Sequence, residues 1–408
     1  MMVVNVMSKN NVKPEIRFKN FTDAWEQRNL GAVTQITMGQ SPSSANYTDN
    51  PEDYILVQGN ADMKDGRVTP RVWTTQITKL AEKNDLILSV RAPVGDIGKT
   101  DYNVVLGRGV AAIKGNEFIF QLLGKMKQDK YWTKLSTGST FESINSKDIQ
   151  EAVLMLPNRT EQKTIGEFFL TLDNAIALHQ HELTLLKQRK KAFLQKMFPK
   201  KGESIPKISF PIFTKPWESK KIGDLMDVTS VKRIHQSDWT KDGVRFLRAR
   251  DIVANFKNIT PENNLYISEE KYKEYSRASG KVSVGDLLVT GVGSIGIPML
   301  IENDDPIYFK DGNIIWFKNN DIIDANFLYY SFIRSEIQNY IRSIAGIGTV
   351  GTYTITSGKQ TPIKLPSRHE QQKIGNFFKQ LDEDISLHEQ NLEKLKEMKK
   401  AFLQKMFV

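Results

Sequence analysis

Residues 156–198 read LPNRTEQKTIGEFFLTLDNAIALHQHELTLLKQRKKAFLQKMF, and residues 365–407 read LPSRHEQQKIGNFFKQLDEDISLHEQNLEKLKEMKKAFLQKMF. They align without a gap at an offset of 209, with 26 identities in 43 positions. A repeat of that fidelity decides the architecture before any single element is considered. In the first copy a stripe at three- and four-residue spacing runs through Ile165, Phe169, Leu172, Ile176, His179, Leu183, Leu186, Lys190, Phe193 and Met197. In the second it runs through Ile374, Phe378, Leu381, Ile385, His388, Leu392, Leu395, Lys399, Phe402 and Met406. A sustained spacing near 3.5 is the coiled-coil pattern.

Each copy opens after a proline with a capping signature, Asn158 before Glu161 and Ser367 before Glu370. The cap oxygen accepts an orphan N–H while the glutamate reaches back. The first copy ends at Phe198-Pro199 with Lys200, Lys201 and Gly202 beyond, which are helix-end signals. Forty helical residues extend about 60 Å. Gly166 and Gly375 weaken the early turns, and the sequence leaves open whether each helix is continuous or kinked before Asp173 and Asp382. The two helices are expected to pair with each other, antiparallel and through a pseudo-dyad. His179 and His388 are then seam residues that set register near the middle.

A weaker repeat opens each half. Residues 16–31, IRFKNFTDAWEQRNLG, match residues 208–223, ISFPIFTKPWESKKIG, at an offset of 192. The segments between these frames are far less alike, and the second is 17 residues longer. The expected organisation is a flexible leader (1–14), a first globular block (15–157), a spacer helix (158–202), a second block (203–366) and a second spacer helix (367–408). The fold class is α+β, or mixed α/β: two globular domains joined by two long antiparallel coiled-coil helices in a pseudo-twofold arrangement.

Within the blocks, Tyr54–Gln58 and Asp85–Val90 read as strands, as do Val244–Leu247, Asp286–Thr290 and Ile314–Lys318. Helical stretches are expected over 118–135 and 327–344, each followed by a Gly/Ser/Thr loop, 136–140 and 345–349.

Composition narrows the function. Cysteine is absent and there are five histidines, so a disulfide scaffold, an iron–sulfur cluster and a thiol nucleophile are excluded. No HExxH-type pair offers a zinc site, and no metal site is expected. Apolar runs such as Leu86–Val90 are too short to span a bilayer. The first 14 residues lack signal-peptide features, so a cytoplasmic location and no membrane partner are expected. The net charge is +10, and half of the excess lies in residues 157–202. A polyanionic partner fits this balance, with a solvated helix face as the plain alternative.

Arginine reads guanine bidentately and amide side chains read adenine. The candidate DNA contacts are therefore the cations and amides clustered near turns. In the first block these are Gln58, Asn60, Lys64, Arg67, Arg71 and Arg91. In the second they are Lys232, Arg233, His235, Gln236, Arg245, Arg248 and Arg250. Loop residues Ser139, Thr140, Ser294 and Thr349 complete the set, since small hydroxyls and exposed amides suit phosphate oxygens.

Other motifs are weaker. Gly291-Val-Gly293-Ser-Ile-Gly296 spells GxGxxG, but Pro298 and a β-like run follow instead of a helix, so a Gly-rich hairpin is expected. There is no GxxxxGK[ST], and no [DN]PP[YF] tetrapeptide of an amino-methyltransferase loop. Glu52 with Asp62-Met-Lys64 has a faint nuclease-like spacing of a kind common in charged loops. No catalytic residue is assigned.

The Phe-x-x-Phe-x-x-x-Trp-Glu openings at 18–26 and 210–218 are family markers. So are the Asp-Leu-[Ile/Leu] strands with Gly loops at 85–98 and 286–296, and the LP-x-R-x-EQ-x-x-I-G-x-FF-x-x-LD helices. In these features the chain resembles the specificity (S) subunit of type I restriction-modification systems, from about residue 15 to the end. The resemblance implies that each block is a target recognition domain reading one half of an asymmetric, bipartite double-stranded DNA site, with the paired helices as a ruler. It implies docking to two methyltransferase subunits and, through them, to two restriction/translocase subunits. It implies a non-catalytic chain that binds no cofactor itself; S-adenosylmethionine, ATP and Mg belong to the partners. A specificity subunit for a fused methylase-nuclease and a coiled-coil protein-interaction scaffold are the alternatives.

Overall fold

The computed structural model describes residues 2–4, 13–136, 142–345 and 351–408. The chain divides into two compact units, Met1–Gln180 with Gln390–Val408, and His181–Glu389. Each unit therefore combines one block with half of each long helix.

The first long helix spans Arg159–Lys196 and the second Arg368–Met406, both without interruption. No break occurs at Gly166 or Gly375. The glycines instead allow close approach. A Cβ on Gly166 would lie 3.0 Å from Glu117 Cβ and 3.1 Å from Phe118 N. On Gly375 it would run into Asp324 Oδ1 and lie 2.9 Å from Phe327 N. Each long helix thus touches the first turn of a shorter helix, Glu117–Gln128 or Ala325–Ile333, at a point with no room for a side chain.

The caps form only in part as expected. Asn158 Oδ1 accepts from Glu161 N at 2.9 Å, and Ser367 Oγ accepts from Glu370 N at 3.3 Å. The glutamate side chains are used elsewhere. Glu161 is fully buried and accepts from Arg17 Nε at 2.6 Å and Nη2 at 2.7 Å. Glu370 accepts from Trp217 Nε1 at 3.3 Å and Ser209 Oγ at 3.4 Å. In both units the opening frame is therefore fastened to the start of the long helix that follows it. A short antiparallel ladder adds to this, Glu26–Asn29 on Val153–Leu156 and Glu218–Lys221 on Pro362–Leu365.

Within the first unit the helix segments run antiparallel. Phe168 meets Phe402 edge-on at 5.1 Å, and Asp173 meets Lys399 Nζ at 2.5 Å. The second unit repeats the arrangement, with Phe193 edge-on to Phe377 at 5.2 Å and Lys190 Nζ 2.5 Å from Asp382. Every stripe residue from Ile165 to Met197 and from Ile374 to Met406 is buried or half-buried. His388 Nδ1 lies 3.6 Å from Glu182 Oε2 in the second unit.

The helix ends close the cores. Phe407 packs on Phe118, Phe169 and Trp25, with ring centroids 4.9, 5.6 and 6.3 Å away. Phe198 packs on Phe327, Trp217 and Phe378 at 5.4, 5.6 and 6.1 Å. Burying such rings contributes roughly 1.5–3 kcal/mol each from area alone. The tail of the second helix thus completes the unit built around the first block, and the tail of the first helix completes the other.

The divergent blocks share the order of four strands in one sheet, to which the first block adds a fifth, Leu80–Ala81. In the first unit, one sheet runs Leu80–Ala81, Val104–Leu106, Tyr54–Val57, Trp73–Thr74, Tyr47–Thr48; in the second, one runs Trp239–Thr240, Leu265–Ile267, Val244–Leu247, Ile307–Phe309. Each holds one parallel pair, Tyr54–Val57 with Val104–Leu106 and Val244–Leu247 with Ile307–Phe309. The companion sheets both contain a hairpin against a central strand, Leu86–Ser89 with Ile97–Lys99 and Leu287–Thr290 with Pro298–Leu300. Gly291–Gly296 is thus a hairpin turn, and Gly296 takes φ +79°, a left-handed value that favours glycine.

Two expected helices are split. Residues 118–135 form Glu117–Gln128 and Tyr131–Leu135, with Lys130 left-handed between them (φ +58°). Residues 327–344 form Ala325–Ile333 and Ser335–Ile344, broken at Arg334. Arg334 is held out of the helix by Pro199 O at 3.0 Å and Glu336 at 2.6 Å, with its guanidinium 4.4 Å from the Phe198 ring centre. In the leader, Met2–Val4 pair antiparallel with Ile16–Phe18, so this part of a segment expected to be loose is a strand. Among the described residues no helix is long and apolar enough to cross a membrane.

Candidate nucleic-acid interface

In the first unit five of the candidates fall on one continuous turn and hairpin. Gln58 follows the strand Tyr54–Val57, and its Nε2 donates to Tyr47 Oη at 2.8 Å. Asn60 opens a single 3-10 turn that ends at Asp62. Lys64 and Arg67 face each other across the two-residue ladder that follows. Arg67 is drawn to Asp101 at 2.8 Å, and Arg71 Nε donates to Asp62 Oδ1 at 3.0 Å. Arg91 stands apart, exposed in the turn after Leu86–Ser89, and bridges to Ser143.

Asp62 organises this turn. It is 3% exposed, and its Oδ2 accepts from Gln58 N at 2.7 Å and Gly59 N at 3.3 Å. With Arg71 on the other oxygen, both carboxylate oxygens are engaged within the protein. The nuclease-like spacing around Asp62-Met-Lys64 is therefore a turn cap in this fold.

In the second unit Lys232, Arg233, His235 and Gln236 form one exposed run. Lys232 Nζ sits 3.9 Å from the Tyr275 ring centre, a cation–π contact. Arg245, Arg248 and Arg250 gather at Asp251, which is 2% exposed. Arg248 binds it through Nε at 3.0 Å and Nη2 at 3.2 Å. The Arg245 and Arg250 guanidiniums stand 3.8 Å away. Ser294 is exposed at the tip of the Gly291–Gly296 hairpin, where its carbonyl accepts from Thr290 Oγ1. Ser139, Thr140 and Thr349 lie outside the described residues.

Sequence reasoning passed over Asp251 and gave Asp62 a different meaning. The available signal was a carboxylate at the third position of a short turn, where it caps backbone N–H groups.

A cavity of about 690 Å³ in the second unit has other chemistry. It is lined by Tyr329, Tyr330, Asp382 and Glu302, none of them a candidate DNA contact. Burial, reinforced by Asp382, pushes the Tyr329 phenol up to about 12. Burial and Asp382 raise Tyr330 as well, and its hydroxyl donates to Asp382 Oδ2 at 2.8 Å. These phenols stay protonated at neutral pH, which suits structural donors.

The family described as "Type I restriction modification DNA specificity domain" matches residues 22–188 and again 214–397. The chain belongs to this family and carries its domain twice. Among curated proteins it is similar to the type I restriction enzyme MjaVIII specificity subunit of Methanocaldococcus jannaschii, 23% identical over 393 residues, covering 93% of this chain and 91% of that one. A shorter match in the same organism, to a protein bearing the name MjaX specificity subunit, is 32% identical over 178 residues and covers 42% of this chain and 41% of that one. Among solved structures, the S subunit of a type I restriction-modification system from M. genitalium superposes with TM-score 0.63 at 15% identity, over 97% of this chain and 99% of that one. At that identity the likeness is one of fold.

Proposed function

We propose that this chain reads an asymmetric, bipartite double-stranded DNA site, one half with each unit, and that the paired helices fix the gap between the halves. One observation carries the reading: the units share a strand order, yet the turn after the equivalent strand holds one arginine on Asp62 in the first and three on Asp251 in the second. Equal scaffolds with unlike cations at the same place suit two different half-sites. Major-groove faces recur about every 34–36 Å, a spacing that helices of 38 and 39 residues have the length to bridge.

In this reading the chain is not itself an enzyme. It docks two methyltransferase subunits, which use S-adenosylmethionine, and through them two ATP-driven restriction subunits. The basic excess makes affinity fall steeply with salt. Long-read methylome sequencing of cells with and without this gene tests the reading. An asymmetric split motif that disappears with the gene is expected. A palindrome, or no gene-dependent motif, overturns it.

A further inference from the structure

We propose that Asp62 and Asp251 are positioning residues for DNA recognition, buried carboxylates that hold one and three guanidinium groups in place. This rests on the reading of the chain as a two-part DNA reader and names residues that make that reading specific.

The two aspartates occupy the same place in the topology. Asp62 closes the turn after Tyr54–Val57, and Asp251 lies in the first turn after Val244–Leu247; each strand is one member of its sheet's parallel pair. Both carboxylates accept backbone N–H groups, Asp62 from Gln58 and Gly59, Asp251 from Arg248 at 2.8 Å. That much is a cap. The arginines go further. A carboxylate taken out of water must be paired, so it fixes the cation beside it.

Arg71 is held through Nε while its side chain remains 54% exposed. Arg250 is 56% exposed, with Nη2 resting on the carbonyls of Glu262 and Asn263 at 3.3 Å each. A guanidinium tethered through one edge keeps its plane and has further N–H donors for a base edge or phosphate. A fork fixed in advance loses less freedom on binding than a loose side chain. An exposed ion pair serving only stability would add little.

The two sites also differ in charge. Asp62 with Arg71 is locally neutral. Asp251 faces three guanidiniums, which leaves two positive charges in excess and favours a phosphate or a guanine edge.

The test uses the chain together with its methyltransferase partner in a host, with methylated motifs mapped by long-read sequencing. Asp62→Asn keeps the size of the side chain and an acceptor for the turn but removes the charge. Its methylated motif is expected to lose definition in one half only, with methylation of the original sites falling about tenfold, the size of one lost bidentate contact. Asp251→Asn is expected to do the same to the other half. Asp62→Asn/Arg71→Ala should match Arg71→Ala alone, because both act through one guanidinium. Wild-type motifs from both aspartate variants would overturn the proposal, as would a uniform loss over both halves with a lowered unfolding temperature. A wild-type chain that yields no split motif would overturn the parent reading instead.

Discussion

Arg17 and Glu161 are joined by two hydrogen bonds, of 2.6 and 2.7 Å, with side chains 2% and 0% exposed. The pair fastens the opening frame of the first unit to the start of the long helix. At the equivalent place in the second unit, Glu370 is held by Trp217 and Ser209 instead. The exchange has a visible cost, since Trp25 Nε1, the counterpart of Trp217 Nε1, has no hydrogen-bond partner among the described residues. Breaking a buried pair leaves one charge uncompensated, so Arg17→Met should destabilise the first unit by about 3–5 kcal/mol. Arg17→Met/Glu161→Leu should recover much of that. Denaturant midpoints of the three chains check this, and equal losses in the single and double variants would contradict it.

Burial raises the Glu370 carboxyl above its ordinary value, while hydrogen bonds from Trp217 and Ser209 pull the other way. The folded chain therefore holds this proton more tightly than the unfolded chain does. The contribution of Glu370 to stability is greatest below the ordinary carboxylate pKa and declines as pH rises through the raised one. Glu370→Gln should remove that decline. Urea midpoints from about pH 4 to about pH 7 should converge with wild type at the acid end and favour the variant at the neutral end.

Gly375→Ala should destabilise although alanine is the better helix former by about 1 kcal/mol. The added Cβ would meet Asp324 Oδ1, the oxygen that caps Ala325–Ile333 by accepting from Phe327 N at 2.9 Å. Gly166→Ala, whose Cβ would have slightly more room, should lose less. Thermal unfolding of both variants gives the order, and a gain at Gly375 would mean the helices separate easily.

Lys190–Asp382 and Lys399–Asp173 are the same pair at an offset of 209, both at 2.5 Å and both partly shielded. Lys190→Glu should be destabilising, and Asp382→Lys should restore stability in that background. A coupling of about 1 kcal/mol is expected from the double-mutant cycle. Additive losses would show that the two side chains do not depend on each other.

Leu395→Asp places a charge against the core of the first unit, on which Leu395 packs half-buried, as Phe168 and Phe402 do. The cost should be several kcal/mol. An unchanged unfolding midpoint would mean the helix stripe does not hold the unit together.

The long helices were legible because three- and four-residue spacing over forty positions has no other reading. The central strands were legible as short apolar runs between turn residues. Local rules misread what tertiary contacts decide. Gly166 and Gly375 look like helix breakers, yet they mark where another helix comes close. Glu161 and Glu370 look like capping-box partners, yet Arg17 and Trp217, far away in sequence, claim their carboxylates. The break at Arg334 depends on Pro199 and Phe198, which no local window contains. The cations around Asp62 and Asp251 were found from composition near turns, but the aspartates that hold them carry no periodic signal.

The reciprocal placement of Phe198 and Phe407 has a consequence for synthesis. The first block leaves the ribosome early, but its aromatic nest waits for Phe407, which is made after the whole second block. The second block has its plug before its own sheets are made. Assembly must therefore finish in the reverse of the order in which it starts, and a chain cut before Phe407 would expose the interior of the part made first.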